Sequence, residues 1–289
     1  MNGATYDLSV MNGNIFRKIT PIFNPVLSVK LICQNWDLLV QLVQRNIHAR
    51  YRGSLFGLLW SFIQPLLMLC IYTFVFGVIF QLRWGGPVDS KSAFAVVMLC
   101  GMSIFQIFSE SVNGSCRIIV GNRNYVKKVK FPLEILPVSQ VFSALILGSA
   151  WFILILLGVV FILGSLNWTV LLLPLTLIPL LLLALGCSWF VASLGVYVRD
   201  TPYCVTVILQ MLYFMTPIFY PTSAVPEGFR WLHRINPLAL IVEETRRILL
   251  YGQLPNWKAL VLAMVAGIVA AQLGLLWFIR TKRGFADVI

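Results

Sequence analysis

Side chains able to move protons, hold metals or attack electrophiles are few in this 289-residue chain, and their spacing points away from catalysis. Glu243 and Glu244 are adjacent carboxylates, a pairing that could divide acid and base roles. Neighbours on a helix point about 100° apart, however, so ion pairs from Glu243 to Arg246 or Arg247 are the better expectation. The two histidines, His48 and His233, lie far apart in the chain, and the six cysteines (Cys33, Cys70, Cys100, Cys116, Cys187, Cys204) show neither metal-ligand spacing nor a disulfide framework. They read as small hydrophobes. No catalytic or metal site is expected.

Two other residue types carry more information. Basic residues collect at Arg50 and Arg52, on either side of Tyr51, and again in Tyr125-Val126-Lys127-Lys128-Val129-Lys130-Phe131-Pro132-Leu133-Glu134. The lysines alone need no explanation beyond a basic loop, but Tyr125, Val126, Val129 and Phe131 add apolar anchors that a solvated loop does not require. A short helix there could fit a groove on a soluble partner. Aromatic residues make up 13% of the chain, enough to place several on common helix faces: Tyr72, Phe76 and Phe80; Phe105 and Phe108; Tyr213 and Tyr220. Packing and an interfacial aromatic belt account for most of them. The functional alternative is a pathway lined by rings that slide along sugar faces.

The elements that position these residues are membrane spans. With 59% hydrophobic and 11% charged residues, the chain is far too apolar for a water-soluble surface. The net charge of +12 does not indicate nucleic acid, because the positive residues sit in the breaks between apolar runs. A span needs about 20 mostly apolar residues, and five runs qualify: 55–80, 93–112, 138–163, 169–198 and 259–279. A shorter sixth, 203–220, comes fifth in order. The first run starts too deep for a cleavable signal peptide.

Six spans put both termini on one side. Fifteen basic residues fall on that side (Arg17, Lys18, Lys30, Arg45, Arg50, Arg52, Arg117, Arg123, Lys127, Lys128, Lys130, Arg199, Arg280, Lys282, Arg283) and seven on the other, so both termini are expected in the cytoplasm. Glu110 is the main charged residue near a span, and no repeat relates the two halves, which argues against ion-coupled carriers. No Gly-x-x-x-x-Gly-Lys-Ser/Thr loop occurs, so any energy from ATP must arrive by contact.

Two segments are neither span nor loop. Ile32, Trp36, Leu39, Val43 and Ile47 share one helical face, predicting an amphipathic interface helix with its apolar face in the membrane. Residues 221–257, broken by Pro221, Pro226 and Pro237, predict a re-entrant hairpin of short helices covered by protein. The expected fold is therefore all-α: a cytoplasmic segment over 1–54, then a six-helix transmembrane domain over 55–289.

Several stretches resemble the type-2 ABC permeases that export polysaccharides. They are Arg45-Asn46-Ile47-His48-Ala49-Arg50-Tyr51-Arg52-Gly53-Ser54-Leu55-Phe56-Gly57-Leu58-Leu59-Trp60 with Gln64-Pro65; Lys127 through Pro137; Arg199-Asp200; Thr216-Pro217-Ile218-Phe219-Tyr220-Pro221; and Asn236-Pro237-Leu238 with Arg246 or Arg247. The resemblance implies a homodimer in the bacterial inner membrane, bound to two copies of a separate ATPase that holds ATP and Mg. It also implies a lipid-linked glycan as substrate. It assigns ATPase coupling to 117–137, a substrate entrance to Arg50, Tyr51, Arg52 and Trp60, and an outer gate to 221–257 with Asn236, Pro237, Arg246 and Arg247. O-antigen is the expected glycan; teichoic-acid or capsule export, a membrane-embedded glycan-modifying enzyme and a passive channel are the alternatives.

Overall fold

The computed structural model describes residues 32–81, 84, 91–127, 131–164 and 166–288, and within these the side chains of 91, 92, 232 and 234 are left aside. Arg17, Lys18, Lys30, Arg83, Lys128, Val129 and Lys130 therefore lie outside the described residues. All regular structure among the described residues is helical. In chain order the helices are α1 (Trp36–Tyr51), α2 (Trp60–Tyr72), α3 (Lys91–Ser115), α4 (Arg123–Val126), α5 (Ile135–Gly158), α6 (Leu173–Tyr197), α7 (Thr201–Met215), α8 (Arg230–Ile235), α9 (Pro237–Leu249), α10 (Trp257–Thr281) and α11 (Phe285–Val288).

With their flanking turns, α2, α3, α5, α6 and α10 form five helices long and apolar enough to cross a membrane. They differ sharply in burial. In its most apolar window α3 is 78% buried and stands at the centre, whereas α2 is 11% buried and stands at the edge. The fifth apolar run does not continue as helix to residue 220. It stops at Met215, because Pro217 disfavours helical backbone at Thr216, whose φ and ψ are −87° and 138°. At 15 residues α7 is about 22 Å long, short of a bilayer core. The segment that follows it is buried: Thr216, Ile218 and Phe219 all sit in the interior.

One end of the bundle is stitched by bonds among residues 134, 193, 197, 281 and 282; the other by bonds among 97, 169, 217, 218, 246 and 248. The segment 201–220 runs from the first end to the second.

The α6–α10 pair packs closest, and glycine makes that possible. A Cβ at Gly186 would overlap the backbone of Ala270 and Ala271, and one at Gly274 would overlap the backbone of Gly186. Hydroxyls satisfy themselves on nearby carbonyls or cross between helices: Ser188 donates to the Ser111 carbonyl at 3.1 Å and Thr169 to the Ile248 carbonyl at 2.7 Å.

Helix α1 forms as expected, with a different partner for its apolar face. Leu39, Leu42 and Val43 are buried against α5, while Trp36 stays 52% exposed and meets Phe142 edge-on at 6.4 Å. Asn46 Nδ2 donates to Ser139 Oγ at 3.1 Å. A protein groove takes the stripe that the sequence pattern assigned to lipid. The region 221–257 breaks at its prolines into short turns, α8 and α9. Asn236 caps α9 by accepting from the Leu238 N–H at 3.0 Å, with Pro237 at the first helical position. The apolar face of α9 packs on α3, α6 and α10.

The tight α6–α10 contact sets an expected outcome. Gly186→Ala should lower thermal stability in detergent, followed by circular dichroism, by about 1–3 kcal/mol. Gly121→Ala, whose added Cβ meets open space, should leave it unchanged.

Candidate transport pathway and coupling surface

At the end of the bundle near α8 and α9, a charge is buried. Arg246 has 0% of its side chain exposed. Its Nη1 donates to the Pro217 carbonyl at 2.6 Å, its Nη2 to the Ile218 carbonyl at 3.0 Å and its Nε to the Val97 carbonyl at 3.3 Å. Nη1 also pairs with Glu243 Oε1 at 3.3 Å, and the guanidinium lies 4.5 Å from the Trp84 ring centroid. Gly101 leaves the space: a Cβ there would stand 2.8 Å from Nη2. The expected ion pair from Glu243 is present, to Arg246. Arg247 is 39% exposed and reaches Glu244 Oε2 at 3.9 Å. Burial raises the Glu244 pKa against the opposing pull of the Asn256 N–H, which donates to Oε2 at 2.6 Å, and of Arg247. Burial lowers that of His233.

Most of the ring residues expected to line a pathway are brought into one connected group, with Phe219 at its hub. Phe219 stacks on Phe76 at 4.8 Å and meets Tyr72 and Tyr213 edge-on, each at 5.1 Å. Phe105 adjoins Tyr213 at 4.8 Å, Phe108 adjoins Phe105 at 6.4 Å, and Phe80 extends the row from Phe76 at 5.9 Å. Tyr220 turns away: its hydroxyl donates to the Phe214 carbonyl at 2.9 Å and its ring faces His233. Below the hub, Tyr72, Phe105 and Tyr213 border a cavity of about 320 Å³ that also takes in Gln64, Gln106 and Gln210. Ser109, Asn113 and Thr206 complete its polar lining, and none of its lining side chains is ionisable at neutral pH apart from the weakly acidic tyrosines. Such a cavity offers hydrogen-bond donors and acceptors beside ring faces, with no charge to trap a ligand.

The opposite end gathers the residues expected to couple to an ATPase. Tyr125 stacks on Phe131 at 4.3 Å and 10°, which aligns the two apolar anchors of the segment. Arg45 on α1 donates to the Tyr125 hydroxyl at 3.0 Å. Glu134 is buried and pairs with Lys282, while its carbonyl accepts from Trp189 Nε1 at 3.0 Å. Val126, Lys127 and Pro132 lie alongside. Among the entrance residues, Arg50 pairs with Glu110, and Trp60 meets Phe56 edge-on at 5.8 Å. Tyr51 and Arg52 line an open groove of about 780 Å³, where Arg45 and His48 join them.

Sequence reasoning did not single out Phe219, Gly101, Trp84 or the uncharged amides. The search for polar span residues looked for charges. Gln210, three residues from the already chosen Tyr213 and so on the same helix face, carried a usable signal. Among the described residues, no group of three metal-ligating side chains occurs.

The buried guanidinium gives a direct test. Arg246→Met should strip several carbonyls and Glu243 of their partner and cost about 3–5 kcal/mol, read as lost folded yield in size-exclusion profiles. Arg247→Met should behave like the parent chain, its side chain being partly exposed and weakly paired.

Comparison with known proteins agrees with this architecture. The family profile described as "ABC-2 type transporter" matches residues 37–250. The chain is 30% identical over 272 residues to the O-antigen export system permease protein RfbA of Myxococcus xanthus, covering 90% of this chain and 98% of that protein. It is 28% identical over 256 residues to the protein of the same name from Klebsiella pneumoniae, covering 88% and 95%. To the polysialic acid transport protein KpsM of Escherichia coli it is 26% identical over 246 residues, covering 82% and 90%. With long apolar helices, a neutral half-open cavity and this match across most of its length, the chain is a membrane subunit belonging to the ABC-2 type transporter family.

Proposed function

We propose that this chain is the permease of an ATP-driven exporter that moves a lipid-linked polysaccharide, O-antigen in the first instance, outward across the bacterial inner membrane. It works as a homodimer with two copies of a separate ATPase. The observation that carries the reading is the uncharged, half-open cavity of amides, hydroxyls and rings in the side of an apolar bundle. Sugar rings present hydroxyls at their edges and C–H faces, and this lining matches both without binding so tightly that a moving chain would stall. The relatives named for O-antigen export support the glycan class, and the one named for polysialic acid transport keeps capsule polymer as the second reading.

Six crossings are part of this proposal. The segment 201–220 runs from one end of the bundle to the other, which supports a short α7 completed by the buried turn at 216–220. Both termini then lie on the cytoplasmic side, with Tyr125, Val126, Lys127, Phe131, Pro132 and Glu134, and the flanking Lys128, Val129 and Lys130, as the surface that receives the ATPase stroke. The groove bearing Tyr51 and Arg52 is the entrance for a pyrophosphate-linked lipid, whose anionic head a guanidinium suits. Helices α8 and α9, with Asn236, Pro237, Arg246 and Arg247, form the outer gate.

Deleting the gene should leave lipid-linked polymer inside the cell; loss of polymer synthesis would instead favour an enzyme, and which polymer accumulates separates O-antigen from capsule. Gln106→Leu combined with Gln210→Leu should slow export roughly fivefold or more, on about 1 kcal/mol per lost hydrogen bond, with membrane levels of the protein unchanged. Arg50→Ala should cut export while the ATPase still co-purifies. The exchange Arg50→Glu with Glu110→Arg should fail to restore it, and full restoration would reduce Arg50 to a partner of Glu110.

A further inference from the structure

A second concavity lies on the outer face of the bundle, where α7 stands away from α6 and α10. It measures about 750 Å³ and is bordered almost wholly by apolar atoms, among them Phe190, Leu194, Ile208, Leu273 and Trp277. The packing of α6 on α10 through Gly186 and Gly274 forms its floor. Along α10 it reaches from Ala270 to Arg280. Ten residues of helix rise about 15 Å, which is half of a hydrocarbon core of about 30 Å. The groove is therefore one leaflet deep.

Its charged end distinguishes it from an ordinary apolar face. Arg280 borders the groove, is exposed, and among the described residues has no carboxylate or hydrogen-bond partner. Arg199 and Arg283, also exposed and unpaired among the described residues, lie at the same end, each two residues from the Tyr197–Thr281 hydrogen bond. Asp200 and Asp287 are at this end as well, but neither borders the groove or pairs with Arg280. Lys282 is already neutralised by Glu134.

We infer that this groove is a binding site for one phospholipid of the adjacent leaflet, with an acyl chain along α6, α7 and α10 and the phosphate on Arg280. Length and charge both select that occupant. A helix of a second copy would cover an unpaired guanidinium with apolar surface, whereas a phosphodiester supplies the missing anion at headgroup level. The exposed cations at the mouth favour an anionic over a zwitterionic headgroup. The lipid would fill the gap between α7 and the tightly packed α6–α10 pair, so it would steady the helix that carries Tyr213 and Gln210 to the pathway.

The test is native mass spectrometry of the full chain, purified in mild detergent and titrated with phosphatidylglycerol or phosphatidylcholine. The parent chain should retain phosphatidylglycerol preferentially. Arg280→Gln should lower that retention on the order of fivefold and erase the preference. Cys204→Trp, which fills the groove from α7, should abolish retention of both lipids; Ile208→Trp serves the same purpose should the first variant fail to fold. Unchanged retention in either the Arg280 or the groove-filling variant would overturn the proposal. So would crosslinks from a benzophenone side chain incorporated in place of Leu273, on the α10 wall of the groove, that land on a second copy of the chain, since those would place protein where the lipid should be.

Discussion

A guanidinium with no access to water organises the half of the molecule that holds α8 and α9. Arginine stays ionised under all ordinary conditions, and a buried ion is tolerated only where nearly every donor finds a partner. Arg246 meets that demand with carbonyls that a continuous helix could not have supplied. Thr216-Pro217 ends α7, and the break turns the Pro217 and Ile218 carbonyls out of the helical ladder toward the arginine. The proline and the arginine thus need each other, for without the break there are no free carbonyls and without the cation the freed carbonyls would be buried unpaired. Gly101 supplies the room on α3, and Glu243 keeps the site close to neutral. The pinned turn places Phe219 among Tyr72, Phe76 and Tyr213, so the ring cluster beside the pathway is a consequence of the arginine clamp.

The other end is tied by a different logic. Its bonds join segments distant in sequence and are mostly partly exposed: α1 to α4 through Arg45 and Tyr125, α1 to α3 through Arg50 and Glu110, and the residue before α5 to the end of α10 through the buried Glu134 and the partly exposed Lys282. Partly exposed pairs of this kind are weak individually. Together with the buried face of α1 on α5, they fasten α1 to α3, α4 and α5. A force applied at Tyr125 and Phe131 would reach α2 through the end of α1, and α2 is the most sparsely packed of the long helices. Stiffness at the two ends and looseness along one wall is the arrangement a rocking transporter requires.

Much of this was legible in the sequence because membranes impose strong constraints. Long apolar runs, prolines at 221, 226 and 237, and the four-and-three spacing of Ile32, Trp36 and Leu39 gave helices where helices occur. The Glu243–Arg246 pair followed from helical spacing alone. What stayed hidden depended on three-dimensional neighbours. Leu42 lies off the predicted stripe of α1 and is nonetheless buried, because α5 wraps more of that helix than a flat membrane surface would. The resemblance assigned Arg246 to an outer gate, and its burial stayed hidden because no sequence pattern reveals that Val97, 149 residues away, offers it a carbonyl. The cavity amides carry no charge and so do not stand out in an apolar run as an ionisable residue would; only Gln210, three residues from Tyr213, shares a helix face with an expected ring.

The size of the cavity bears on how many chains make the pathway. At about 320 Å³ it falls at the small end of ligand pockets, about 300–1,000 Å³, and could not enclose a length of polymer. Yet α2 leaves most of its apolar surface uncovered, and α7 exposes Tyr203, Val207, Met211 and Phe214 along one side. Lipid can cover both surfaces, but it cannot cover the amides and hydroxyls between them, whose unmet hydrogen bonds would cost free energy in hydrocarbon. A second copy set against α2 and α7 would remove that conflict. It would bring two such half-cavities face to face, double the polar lining and leave an opening wide enough for a chain of sugars, with the Arg246 clamps holding the ring clusters at one end of it.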